Sequence, residues 1–267
     1  MATGGVSVIV RARDEERSLE RCLTLVAGQR GVGEPAELIL VDGGSSDGTV
    51  AVAHRHGATV LNAGEPYSFG GALNLGASEA RGAVLVALSA HAFPRDDGWL
   101  ARLVAPFEDR HVACACGDSY GPDGELLTGP VAQDAALAAR RPEWGYSNAA
   151  GAFRAELWRR RPFRGDLPAC EDKEWAWEWL WRGYRCVVDP SLLVDHDHTH
   201  DRLRDIFRRA RREARAYGSF LERPPYEPRD LVRDWWSDLR WYDSVLKARL
   251  SPRRATRLLG AYAGRRH

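Results

Sequence analysis

"LVDGGSSDGT" runs from Leu40 to Thr49. An apolar run closes on a carboxylate, two glycines follow, and then come Ser45, Ser46 and Asp47. This is the pattern of a strand that turns sharply into a helix: Gly43 and Gly44 permit the turn, and the short polar side chains cap the helix. The same alternation extends in both directions. "VSVIVRA" (Val6–Ala12) reads as a buried strand. "DEERSLERCLTLVAG" reads as a helix with acids in its first turn and Leu19, Leu23 and Val26 at helical spacing. "AELILVD" (Ala36–Asp42) is the second strand, followed by a helix through His56. "ATVLNA" is a third strand, "GGALNLGASEA" a helix, "AVLVALSA" (Ala83–Ala90) a fourth strand and "DDGWLARLVAPFE" the next helix. This order predicts an α/β fold with a mainly parallel, Rossmann-like sheet flanked by helices. Ligands of such sheets sit beyond the carboxyl ends of the strands, where Asp14, Asp42 and His91 fall.

The second half is less regular. "HVACACGDSYG" reads as a strand, and residues 121–145 as a loop with a short helix. "SNAAGAFRAELWRRRPF" reads as a strand and helix, "EDKEWAWEWLWRGY" as a helix entered through two acids, and "CVVDPSLLVDHDHTH" as extended chain. From Asp201 onward the pattern is helical and rich in arginine. The expected division is a catalytic domain over 1–200 and a helical, basic C-terminal appendage over 201–267.

Of 267 residues, 44% are hydrophobic, enough for a sizeable core. No stretch approaches the ~18 apolar residues of a membrane span. "MATGGVSVIV" enters a strand pattern at once, so no secretory leader is expected. The five cysteines are odd in number and lack C-x-x-C spacing, which points to a reduced, cytoplasmic chain. Residues 199–267 hold 18 Lys/Arg against 9 Asp/Glu, whereas the rest hold 20 against 28. A basic tail serves an anionic membrane surface, an acidic carrier or a solvated helix face. The tail places arginines beside large apolar residues without a continuous basic apolar face. We therefore expect a helical appendage that packs its aromatics on the catalytic domain, with peripheral membrane or carrier contact as the other reading. No nucleic-acid partner is expected.

A carboxylate such as Asp42 at a strand end accepts a hydrogen bond from a pyrimidine ring N–H. The same residues also make an ordinary strand-turn-helix corner. The combination is more specific. "VSVIVRARDEERSLERCL", "LILVDGGSSDGT", "GGALNLGASEARG", a strand-end tripeptide and "EDKEWAWEWLWRGY" occur in one order over Val6 to His200. Together they resemble the family 2 inverting glycosyltransferases of the A-type nucleotide-sugar-binding fold. The "EDKEWA" and "HDH" elements resemble a bacterial rhamnosyltransferase-like branch.

The resemblance implies a nucleotide-sugar part over about 1–118 and an acceptor part over about 119–200. It implies a nucleoside pocket lined by Arg11, Ala12, Arg13 and Glu15, with Asp42 and Gly43 at the base of a UDP- or dTDP-sugar. Asn74 would lie beside the sugar-diphosphate. Asp172, with Glu171, would be the catalytic carboxylate, although two acids at a helix start are also favoured by the helix dipole. Ser147 and Asn148 would border the acceptor. The tryptophans at 175, 177, 179 and 181 cannot all face one way on a helix; some are core, and Trp175, nearest Asp172, is the one expected at the acceptor. The acceptor itself, a lipid-linked glycan, another sugar or a small molecule, is not specified.

Ser89-Ala90-His91 aligns with the family's Asp-X-Asp, a departure that bears on metal binding. Ser89 can bond a ribose or a metal-bound water, with Ala90 against the nucleotide. His91, with His196 and then His198 after the last strand, can ligate a divalent metal, Mn²⁺ rather than Mg²⁺. Protonated, the same histidines can neutralise diphosphate without metal. The competing function is a catalytically silent nucleotide-sugar-binding module. A zinc hydrolase built on "HDHTH" fits the remaining pattern poorly.

Overall fold

The parallel half of the sheet follows from strands that are apolar on both faces. In the computed structural model, which describes residues 4–196, 201–222, 226–237 and 250–265, these are β1 (Val6–Ala12), β2 (Glu37–Asp42), β3 (Thr59–Asn62) and β4 (Val84–Ser89). They pair in parallel as β3-β2-β1-β4, with Val8 opposite Leu38 and Val86. Successive side chains leave a strand on opposite faces. Val8, Val10, Leu40, Val86 and Leu88 therefore pack on one side, with Leu19 and Leu23 of α1 (Glu16–Ala27) and Val52 of α2 (Thr49–Arg55). Ile9, Ile39, Val41, Leu85 and Ala87 pack on the other, beneath Leu73 and Ala77 of α3 (Phe69–Glu79). Gly76 lets α3 settle directly on the sheet, because a Cβ there would run into Ile9 and lie 3.0 Å from Val41 Cγ2.

The sheet continues beyond β4 with β8 (Ala150–Arg154), β6 (Val112–Cys116), β9 (Arg185–Val188) and β7 (Val131–Gln133). β8 runs antiparallel to both β4 and β6, and β7 runs antiparallel to β9. The order of the strands reverses between β1 and β4, which stay parallel, so the crevice beyond their carboxyl ends is the topological switch point. The amino end of β8 opens at the same edge, where Ser89 donates its N–H to the Ala149 carbonyl at 2.8 Å.

Several elements differ from the sequence expectation. The helix expected over 96–108 is α4 (Trp99–Val104), which tightens into a 3-10 turn at Ala105 where Pro106 removes an N–H. The loop over 121–145 contains β7 as well as α5 (Ala135–Arg140). Three residues were too short for a period-2 signal. The extended run from Cys186 is broken by a 3-10 turn at Pro190–Leu192, which Asp189 caps through the Ser191 N–H at 2.8 Å. It resumes as β10 (Val194–Asp195), antiparallel to β5 (Phe93–Pro94). α6 (Ala155–Arg160) and α7 (Glu171–Trp181) complete this region.

The chain divides into two compact units, 1–166 with 171–197, and 167–170 with 198–267. The second contains α8 (Leu203–Gly218), α9 (Pro228–Ser237) and α10 (Pro252–Arg265). Gly260 and Gly264 of α10 pack on α8: a Cβ at Gly260 would stand 2.5 Å from the Phe207 carbonyl and 3.0 Å from Ala210 Cβ. The buried Arg254 donates to the Asp234 and Trp235 carbonyls at 2.8 and 2.7 Å, closing the end of α9. Among the described residues, no helix is long and apolar enough to cross a membrane.

Candidate active site

Two loops build one wall of the crevice. The chain leaving β1 turns at Asp14, whose φ of 54° places it in the left-handed region. Asp14 Oδ1 accepts from the Ser46 N–H at 2.7 Å, and the Asp14 N–H donates to Ser45 Oγ at 2.9 Å. The Glu15 N–H donates to Thr49 Oγ1 at 2.9 Å and the Glu16 N–H to Asp47 Oδ2 at 3.1 Å. The "RDEE" and "GSSDGT" loops are thus stitched by side chains that accept the other's backbone donors. These bonds hold the exposed carboxyls of Asp14 and Asp47 below the usual carboxylate range, through Ser46 and Thr49 respectively. Asp42 is buried at the end of β2. It accepts from the Gly44 N–H at 3.1 Å, the Ser45 N–H at 3.1 Å and the Ser45 hydroxyl at 2.5 Å. A carboxylate has about four lone-pair sites, so most of this one is committed to shaping the Gly43–Ser45 turn.

His91 follows β4 and shares a 2.8 Å hydrogen bond from Nδ1 to Glu15 Oε1. That bond is the main reason the Glu15 carboxyl lies below its ordinary value. Glu15, expected in the nucleoside pocket, instead orients an imidazole 76 positions away in sequence. The His196 ring stacks on His91, centroids 4.8 Å apart and planes 26° from parallel. Stacked rings send their in-plane lone pairs side by side, not to a common point. Among the described residues, no group of three His, Cys, Asp or Glu is placed to hold a metal ion. The described donors therefore do not make a cation site by themselves. His198 lies outside the described residues.

The opposite wall carries two carboxylates at the start of α7. Asp172 Oδ2 accepts from the Asn148 N–H at 3.0 Å, and Oδ1 accepts from the Lys173 N–H at 2.7 Å. Glu171 is buried, with Asn148 Nδ2 at 3.5 Å and Arg11 Nη1 at 3.6 Å from Oε1. Burial, and then the adjacent Asp172, push its carboxyl up, against the pull of Arg11. Arg11 also donates to the Asn148 carbonyl at 3.3 Å and lies over the Phe69 ring. One arginine from β1 thereby ties the nucleotide wall to the acceptor wall.

Two expected site residues are elsewhere. Trp175 is fully buried, against Tyr146, Phe153, Phe163 and Trp179, and its indole N–H donates to the Arg161 carbonyl at 2.7 Å. It is core and cannot touch an acceptor. An aromatic of this size removes ~150–250 Å² from water, worth roughly 4–6 kcal/mol gross, which outweighs any gain at a pocket edge. Asn74 is committed too: Nδ2 donates to the Phe163 carbonyl at 2.8 Å, and Oδ1 accepts from the Trp158 indole at 2.9 Å and the Phe163 N–H at 3.0 Å. It fastens the segment after α6 to α3, which occupies its amide oxygen and one of its two amide hydrogens. Ala12 and Ala90 are buried, Arg13 is exposed, and Ser89 and Ser147 are half-buried at the crevice. Gly43 closes the β1 end, its N–H donating to the Ala12 carbonyl at 2.9 Å.

Tyr67 and Lys173 complete the site without having been anticipated. Tyr67 lies edge-on to Phe69 and beside Gly43, and burial pushes its phenol up. "EPYSFGG" gives it no periodic signal. Lys173 donates to the Gly145 carbonyl at 2.9 Å, steadying the loop before Asn148.

The model of the family described as "Glycosyl transferase family 2" matches residues 7–164, more than half of the chain. No curated protein matches. Among solved structures, the chain is similar to a mannosyltransferase from Pyrobaculum calidifontis in complex with GDP-Man and Mn²⁺. The two are 20% identical with a TM-score of 0.69, over 97% of this chain and 85% of that one. It is also similar to glucosyl-3-phosphoglycerate synthase from Mycobacterium tuberculosis in complex with Mn²⁺, UDP and glucosyl-3-phosphoglycerate. Here identity is 20% and the TM-score 0.60, over 84% of this chain and 82% of that one. At this identity the similarity shows the glycosyltransferase A-type fold.

Proposed function

The chain belongs to glycosyl transferase family 2, and from that premise we propose that it is an inverting transferase that moves a sugar from a UDP- or dTDP-sugar to an acceptor hydroxyl or amine. The observation that carries this reading is the Asp172 carboxylate, held by the Asn148 N–H at 3.0 Å beside the switch-point crevice. Asp172 takes the acceptor proton. The acceptor oxygen or nitrogen bonds to the anomeric carbon while the bond from that carbon to the diphosphate oxygen breaks. The nucleoside diphosphate leaves with the electron pair, and a single displacement inverts the centre.

The developing charge falls to donors on the chain's own side: the exposed Arg13 and His91, oriented by Glu15. Two solved relatives contain Mn²⁺, but the donor set described above does not converge, so no step here passes through a metal. Asp42 and Gly43 shape the nucleoside pocket, and Ser147 and Asn148 border the acceptor. Glu171 anchors Arg11 and is a positioning residue. The "EDKEWA" and "HDH" elements support a place near rhamnosyl- and related sugar transferases, and the five free cysteines support a reducing, cytoplasmic setting. The loss of both Asp-X-Asp carboxylates favours one rival, a silent nucleotide-sugar-binding module. A panel of nucleotide sugars separates the two: the enzyme releases nucleoside diphosphate when an acceptor is supplied, whereas the module binds nucleotide and releases none.

A further inference from the structure

The helix α8 carries a row of arginines on the side away from its buried face. Its buried residues are Ile206, Ala210, Ala214, Ala216 and Tyr217. Arg204, Arg208, Arg211, Arg212 and Arg215 are all exposed. At ~100° per residue these five fall within an arc of about 100°, and at 1.5 Å per residue they span roughly 16 Å. No acid of α8 lies inside that arc. Asp205 lies at its margin, 3.6 Å from Arg204, and Glu213 lies outside. Like charges so close repel one another, and a helix that needed only solubility would mix signs.

A second feature belongs to the same unit. Seven large apolar side chains are exposed among the described residues, and five of them are here: Leu203, Val232, Trp236, Leu250 and Leu259. Leu203 begins α8 and is 45% exposed, about 130° around the helix from the middle of the arginine arc. Arginines meet phosphates, while leucine, valine and tryptophan tips meet an acyl boundary. Duplex nucleic acid offers a match to the first set only.

We propose that this unit docks on an anionic bilayer surface, with the α8 arginines against lipid phosphates. Spacing alone gave no continuous basic apolar face; the side of α8 away from its buried residues presents a basic one. The inference does not depend on the transferase reading.

The test is sedimentation of the full chain with phosphatidylcholine vesicles and with the same vesicles enriched in phosphatidylglycerol. Co-pelleting is expected with the anionic vesicles at low salt, and its loss is expected at 1 M salt, where the screening length falls to ~3 Å. Each arginine changed to glutamine should weaken partition about five-fold, equivalent to ~1 kcal/mol per basic side chain near such a surface. Arg208→Lys with Arg211→Lys and Arg215→Lys should keep it. All five positions are exposed, so the variants should fold, and an unchanged melting temperature checks this. Equal binding to both vesicle types, no binding to either, or salt-sensitive retention on duplex DNA without vesicle binding would each overturn the proposal.

Discussion

The guanidinium of Arg11 stands 3.6 Å from the carboxylate of Glu171, and both side chains are almost withdrawn from water. Arg11 is the penultimate residue of the first strand and Glu171 starts a helix 160 residues later, so this pair joins the two halves of the crevice. Burial and the neighbouring Asp172 nevertheless push the Glu171 carboxyl above its ordinary value of 4.5. A raised carboxyl favours the folded state while protonated. Its contribution is complete below the ordinary value and is lost as pH rises through the raised one. The stability of the wild type relative to Glu171→Gln should therefore fall as pH rises above 4.5. Thermal unfolding across that range reads the slope, and a slope of opposite sign would mean that Arg11 dominates. Glu171→Ala leaves Arg11 unpaired and should cost about 3–5 kcal/mol.

Asp42→Ala should lower folding stability as well as nucleotide affinity. The carboxylate accepts from two backbone N–H groups and a hydroxyl of its own turn, and hydrogen bonds to a charged group are worth ~1.5–3 kcal/mol each. Denaturant unfolding and UDP calorimetry on the same preparation measure both effects. Lost affinity at unchanged stability would show the carboxylate serving the ligand alone.

Asn74→Ala should behave as a structural change. It removes three hydrogen bonds to Trp158 and Phe163 and should cost about 2–4 kcal/mol. Nucleotide affinity per folded molecule should stay within two-fold, or ~0.4 kcal/mol. A selective loss of donor binding at wild-type stability would return Asn74 to the sugar-diphosphate.

The leaving diphosphate should be managed without a tightly held metal. Transfer should persist in a chelator, and His91→Ala should lower turnover roughly 10²-fold, as loss of one charge-stabilising donor does. Abolition by chelator with full recovery in Mn²⁺ would contradict this. The hydrogen bond to His91 depresses the Glu15 carboxyl. The pair's contribution to stability is thus present above pH 4.5 and is lost as pH falls through the depressed value. His91→Ala should flatten that part of the acid unfolding profile.

The parallel strands β1 to β4 and the crevice at their ends were legible in the sequence because buried strands are continuous apolar runs and the turns are marked by glycine and short polar residues. The place of Asp172 in the first turn of a helix was legible in the sequence, and its role as base is the proposal made above. The Glu15–His91 pair was not, since no local pattern relates residues brought together only by the β1–β4 pairing. The burial of Trp175 and the structural bonds of Asn74 were not legible for one reason: their spacing marks a helix, but which face of α3 or α7 meets the sheet depends on neighbours such as Phe153, Trp158 and Phe163. β7 escaped because three residues carry too little periodicity. The α8 arginines were visible in composition, and only the burial pattern gathers them on one arc.

The role of Asp172 is most directly tested by comparing wild type with Asp172→Asn. Asparagine keeps the side-chain shape and an acceptor for the Asn148 N–H but cannot take a proton. UDP and dTDP affinity by calorimetry should be unchanged within two-fold, or ~0.4 kcal/mol. Acceptor-dependent release of nucleoside diphosphate, measured with the best donor from a nucleotide-sugar panel, should drop by ~10²–10⁴. Near wild-type turnover in Asp172→Asn would contradict the account, and so would a wild type that binds nucleotide yet releases none with any acceptor.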